Sequence, residues 1–132
     1  MKEHHYCDCD GCNANMKIVT HEGFVAGSFK MDSSLPAAAA TEQLKSQMDE
    51  LARILREQGA WVGHIKASIQ RGDYLATLSL TKDEVNVQSR EGLETGKTYI
   101  HFASIITRIK VDQLEKLLHD LYHTLEYQEE AV

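Results

Sequence analysis

Five side chains near the start of the chain, His4, His5, Cys7, Cys9 and Cys12, are the residues best equipped for chemistry. Imidazole nitrogens and thiolates are soft-to-borderline donors, and four of them close a tetrahedral shell around zinc, cobalt, nickel or copper(I). Asp8 and Asp10 add negative charge that offsets a bound cation. All three cysteines of the chain lie here. An odd, local cluster is a poor disulfide framework and a better thiolate site. The Cys-x-Cys-x-x-Cys spacing after a His pair is not one of the common zinc-finger patterns. An uncommitted tail with idle thiols is the plain alternative. The metal reading makes zinc or cobalt the expected ligand, either as a fixed structural ion or as cargo.

Other candidates are weaker. His119 and His123 lie four apart, and the string His-Asp-Leu-Tyr-His superficially matches a zinc-protease helix, but Asp120 replaces the glutamate base. Projection at about 100° per residue sets both opposite the leucine stripe, facing solvent. His64 and His101 fall in separate expected strands and would share one sheet face with Lys66. They are read as ordinary strand histidines, with a small catalytic pair as the weaker option. There is no phosphate-binding glycine loop, no Gly-x-Ser-x-Gly elbow and no dinucleotide fingerprint, so a complete enzyme is not expected.

The elements that must position these groups follow from periodicity. Residues 1–15 lack a hydrophobic period and read as a flexible metal-binding segment, ahead of an α+β domain over 16–132. Met16 to Met31 reads as a strand, bent near Gly23. Pro36 marks the start of a helix running to Gln58, with Leu44, Met48, Leu51 and Leu55 as its stripe and Gly59 as its stop. Trp61 to Ile69 alternates, with Trp61, Gly63, Ile65, Ala67 and Ile69 on one face and Val62, His64, Lys66 and Ser68 on the other. Arg71-Gly72-Asp73 is a turn into Tyr74–Thr81. Val85–Gln88 either extends that strand or adds a short one. Glu91–Lys97 is a loop, and Thr98–Ile109 the longest β-like run. Asp112 with Glu115 has capping-box character for a last helix striped by Val111, Leu114, Leu117, Leu118, Leu121 and Leu125. The expected fold is an antiparallel sheet of four or five strands with both helices on one face, in the order β-α-β-β-β-α.

Charge and hydropathy limit the partners. Fourteen Lys and Arg against twenty Asp and Glu leave a net charge of -6, which argues against nucleic acid. No apolar run approaches the ~20 residues of a membrane span, and no secretory signal opens the chain, so a cytoplasmic address is expected. If both helices cover one face, Val62, His64, Lys66, His101, Ala103 and Ile105 remain on the other. That mixture favours a homodimer contact or a docking surface for a larger protein.

The His4-His5…Cys7-x-Cys9…Cys12 cluster, the strand Val62-Gly63-His64-Ile65-Lys66-Ala67 and the later Leu78-Ser79-Leu80-Thr81 together resemble the C-terminal region of long CobW-type GTPases. That family is linked to cobalamin synthesis and metal delivery, and carries His/Cys-rich stretches near the junction of its two domains. The resemblance implies a metal-handling accessory domain. The family's GTPase domain, with its Walker-type loop, has no counterpart in these residues, so GTP hydrolysis is not carried over.

Overall fold

The computed structural model describes residues 15–81 and 84–127. The strands are β1 (Met16–His21), β2 (Phe24–Ser33), β3 (Trp61–Arg71), β4 (Tyr74–Leu80), β5 (Val85–Arg90) and β6 (Thr98–Thr107). The helices are α1 (Ala37–Glu57), between β2 and β3, and α2 (Val111–Tyr127), after β6. All neighbouring strands pair antiparallel in one six-stranded sheet, ordered β1-β2-β6-β3-β4-β5. The α+β class and the antiparallel sheet match the sequence reading. The strand count does not.

Two of the differences have local causes. The expected bent strand over 16–31 is a hairpin, because Glu22 (φ 48°) and Gly23 (φ 95°) both take left-handed backbone conformations. Two consecutive positive φ values make the primed turn whose twist matches paired strands. Val85–Arg90 is a separate strand, paired with β4 from Leu80↔Val85 to Leu75↔Arg90. The order is therefore β-β-α-β-β-β-β-α.

Helix α1 begins behind Pro36 and ends in a Schellman motif. Gly59 (φ 84°) turns the chain, its N–H donating to Arg56 O, while Ala60 N–H reaches Leu55 O at 2.9 Å. Leu44, Met48, Leu51 and Leu55 are all buried, as their spacing requires. On the exposed side, Arg53 binds Glu50 and Glu57, and the guanidinium holds the Glu50 carboxyl below its ordinary range. The start of α1 is capped from a distance. Glu94 Oε1 accepts Ala37 N–H at 3.2 Å, although 57 residues separate them. Arg71 Nη1 and Thr98 Oγ1 both donate to Leu35 O just before the helix.

Helix α2 starts at Val111, one residue ahead of Asp112. The Gln113 side chain reaches back to accept Lys110 N–H at 3.1 Å, the backward half of a capping box. Asp112 still sits in the first turn, where a carboxylate favours the helix dipole.

Both helices lie on the same side of the sheet. α1 packs on β3, β4 and β5, while α2 packs on β1 and β2 and touches α1. Between them and the strands Phe29 and Phe102 stack with centroids 5.1 Å apart, and Tyr122 meets Phe29 edge-on at 5.4 Å. Gly27 lets α2 approach β2 closely: a Cβ there would come within 2.6 Å of Leu118 Cδ1, which would have to shift. The helix-facing residues of β4, of β6 and of β3 from Ile65 onward alternate with outward ones in period two, and among the described residues the opposite face of the sheet carries no helix.

Candidate functional site: the open face of the sheet

The metal cluster His4, His5, Cys7, Cys9 and Cys12 lies outside the described residues. Among the described residues no three His, Cys, Asp or Glu side chains are grouped to hold a metal ion. Within those residues the sheet face turned away from both helices gathers polar and charged side chains from all six strands.

Register fixes who stands beside whom. One cross-strand row reads Lys17, Ser28, Ala103, Lys66, Ser79 and Asn86. The next reads Lys30, His101, Ser68, Thr77 and Gln88. Ser28, Lys66, Ser68, Thr77, Ser79 and His101 line a shallow depression of about 540 Å³. Ala103 and the serines contribute short side chains to its lining, and Lys66 and His101 the long polar ones. Asn15, the first described residue, lies at the edge of this face beside Lys17, Ser28, Lys30 and His101.

The opposite end of the face is apolar. Val19, Ala26, Ile105 and His64 form one row, and Phe24, Thr107 and Trp61 the next. Val19, Trp61 and Ile105 are 50%, 61% and 39% exposed. Arg108 covers part of Trp61, its guanidinium carbon 4.2 Å from the ring centroid, which adds a cation–π attraction.

Two expected placements in β3 are corrected by one bulge. The register shifts between Val62 and His64, so Val62 pairs with Ile106 and packs against the core, while Trp61 faces outward. A β-bulge places two residues opposite one and so inverts the alternation on its far side. Gly63 is the residue that permits it, since a Cβ there would meet Ile105 O at 2.9 Å. His64, Lys66, His101, Ala103 and Ile105 are on the open face as expected.

The structure does not bring His64 and His101 together. His64 pairs with Ile105 and Ser68 with His101, which leaves the two imidazoles roughly 14 Å apart along the sheet. His119 and His123 are corrected as well. His119 is only 3% exposed, and His123 is half-buried with Nδ1 3.2 Å from Glu126 Oε1. The leucine stripe alone implied solvent on that side, but α2 packs on β1, β2 and α1 together, and three neighbours bury a wider arc than one stripe.

What sequence inspection missed is the segregation of charge. Lys17, Lys30, Lys66 and Arg90 project from this face, where Asp32 is the lone carboxylate among the described strand residues. Asp32 in turn lies 3.9 Å from Lys97. Among the described residues Lys17, Lys30 and Lys66 enter no ion pair. This concentration of cations occurs in a chain whose net charge is -6.

In comparisons with known proteins, no family model, no curated protein and no solved structure matches the chain. No helix among the described residues is long and apolar enough to cross a membrane.

Proposed function

We propose that the protein is a metal-binding accessory protein whose thiol-rich N-terminal segment takes zinc or cobalt beside a compact α+β platform. The observation that carries this reading is the spacing of Cys7, Cys9 and Cys12 directly after His4 and His5. Three thiols within six positions, with an imidazole in reach, supply a full tetrahedral donor set without help from the fold. The resemblance to the C-terminal region of CobW-type metal-delivery proteins supports the same reading.

The test compares the full chain with a variant lacking residues 1–15. Metal analysis of untagged protein should find about one zinc or cobalt per full chain and none in the deletion variant. In a chelator the two should melt at nearly the same temperature, because the core among the described residues is built from Val25 onward. Equal metal content in both proteins would remove the assignment.

A second reading, a homodimer or protein-docking module, is favoured by the apolar corner around Val19, Trp61 and Ile105. Ile105→Asp would place a charge at its centre, and an unpaired buried charge is costly. Sedimentation velocity of parent and variant should show weaker association in the variant. A parent that stays monomeric at every concentration reached would eliminate the homodimer.

A further inference from the structure

We infer that the basic half of the open sheet face is a binding site for a small molecule carrying a phosphate monoester, with Lys30 and Lys66 as the charged contacts and His101 between them. The inference rests only on the folded platform and is independent of the metal reading.

The first argument is charge. A chain with six excess negative charges has nevertheless collected Lys17, Lys30 and Lys66 from three strands onto one face. Among the described strand residues the one carboxylate on this face is Asp32, which lies 3.9 Å from Lys97. Lys30 and Lys66 stand on either side of β6 with no carboxylate partner among the described residues, so their fields add in favour of an anion. A dianion gains from two ammonium groups at once, which a single carboxylate does not need.

The second argument is the donor set. His101 has Lys30 directly across on β2 and Ser68 directly across on β3. Lys66 is diagonal to it, paired with Ala103 one outward step along β6. Ser28, Ser68, Thr77 and Ser79 add hydroxyls to the same depression. Phosphate oxygens accept several hydrogen bonds, and charge-assisted ones are the strongest available on a protein surface.

The third argument is size. About 540 Å³ falls within the ~300–1,000 Å³ typical of small-molecule sites, and Lys30 lines the adjoining hollow, which shares Ser28 and His101 with it. The depression ends at Asp32 and Tyr99 on one side and at the apolar rows of Ile105 on the other. A polyanionic strand crossing the whole sheet would gain from Arg90 and Lys17, but would meet the field of an acidic molecule beyond them. A short phosphorylated ligand avoids that repulsion.

The experiment uses the full-length metal-free chain at about 0.15 M salt, followed by amide chemical shifts. Phenyl phosphate and inorganic phosphate are the probes, with benzoate as the monoanionic comparison. Saturable shifts are expected around residues 66–68, 77–79 and 101–103 with both phosphates, and at least about tenfold weaker binding of benzoate. Lys66→Gln and Lys30→Gln should each weaken phenyl phosphate about tenfold or more, the order expected for losing one charge-assisted hydrogen bond. His64→Gln, on the same face outside the depression, should leave it unchanged, which shows that a folded variant still binds. Shifts that rise without saturation, or equal affinity in parent and Lys30→Gln/Lys66→Gln, would overturn the site. A single-stranded oligonucleotide binding the same residues more tightly than phenyl phosphate would overturn the small-molecule assignment in favour of a polyanion.

Discussion

Replacing Cys7, Cys9 and Cys12 together by Ser should cost the protein its tight metal binding, with affinity for zinc or cobalt(II) falling by more than about 100-fold. Losing an outer-shell hydrogen bond to a ligand already costs roughly 10–100-fold, so losing three direct ligands sets a lower bound. A thiol with an unperturbed pKa near 8.5 gives up its proton to a metal at neutral pH, whereas a serine hydroxyl does not. Single replacements of His4 or His5 should do less, because either imidazole can complete the shell in place of the other. Because thiols release protons on binding, parent affinity should fall as pH drops from 8 to 6. Cobalt(II) titration followed by absorption reads both effects, since thiolate ligation gives charge-transfer bands that hydroxyl ligation lacks. Retention of those bands and of the parent affinity in the triple variant would place the metal elsewhere.

The second large effect belongs to the core. Phe102→Ala should destabilise the fold by about 3–5 kcal/mol, the usual cost of emptying a buried aromatic site. Phe102 is 1% exposed and lies on β6 between β2 and β3, stacked on Phe29. Its loss leaves Phe29 without a partner on one side, in a region where helices on one face and a continuous backbone on the other leave little room to collapse. A melting temperature lower by roughly 10–20 °C is the corresponding signal for a domain of this size. Phe102→Leu should recover most of the loss. A change below about 1 kcal/mol for the alanine variant would mean that the packing around Phe29 and Tyr122 is not the centre of stability.

Much of this scaffold was legible in the sequence where one local rule acted alone. The four-three-four spacing of Leu44, Met48, Leu51 and Leu55 and the stop at Gly59 required nothing beyond the helix itself. Alternation from Ile65 to Ile69 likewise gave the correct faces of β3. Misreadings occurred where a neighbour decided the outcome. Glu22-Gly23 lacks the Asn or Asp that usually announces a primed turn, so a hairpin looked like a bend. Asn86, Gln88 and Ser89 give β5 little hydrophobic period, and its existence depends on pairing with β4. Gly63 looked like any strand glycine until the close approach of Ile105 O showed a bulge. His119 is buried by contacts that no single helix projection contains. The basic face was hidden for a related reason: Lys17, Lys30 and Lys66 are far apart in the chain and become neighbours only through the sheet order.

That order also bears on how the chain acquires its shape. β1 with β2 and β3 with β4 and β5 are sequence neighbours that can zip locally, yet β2 and β3 never pair with each other. The strand that joins them, β6, is the last to be synthesised. Until it arrives, two half-sheets present the flanks of β2 and β3 as open backbone edges, each capable of recruiting a strand from another chain. Long-range pairing of this kind slows folding and prolongs exposure to aggregation. The sheet therefore becomes continuous only when residues 98–107 insert between β2 and β3, so any loss of β6 leaves two adhesive edges rather than one.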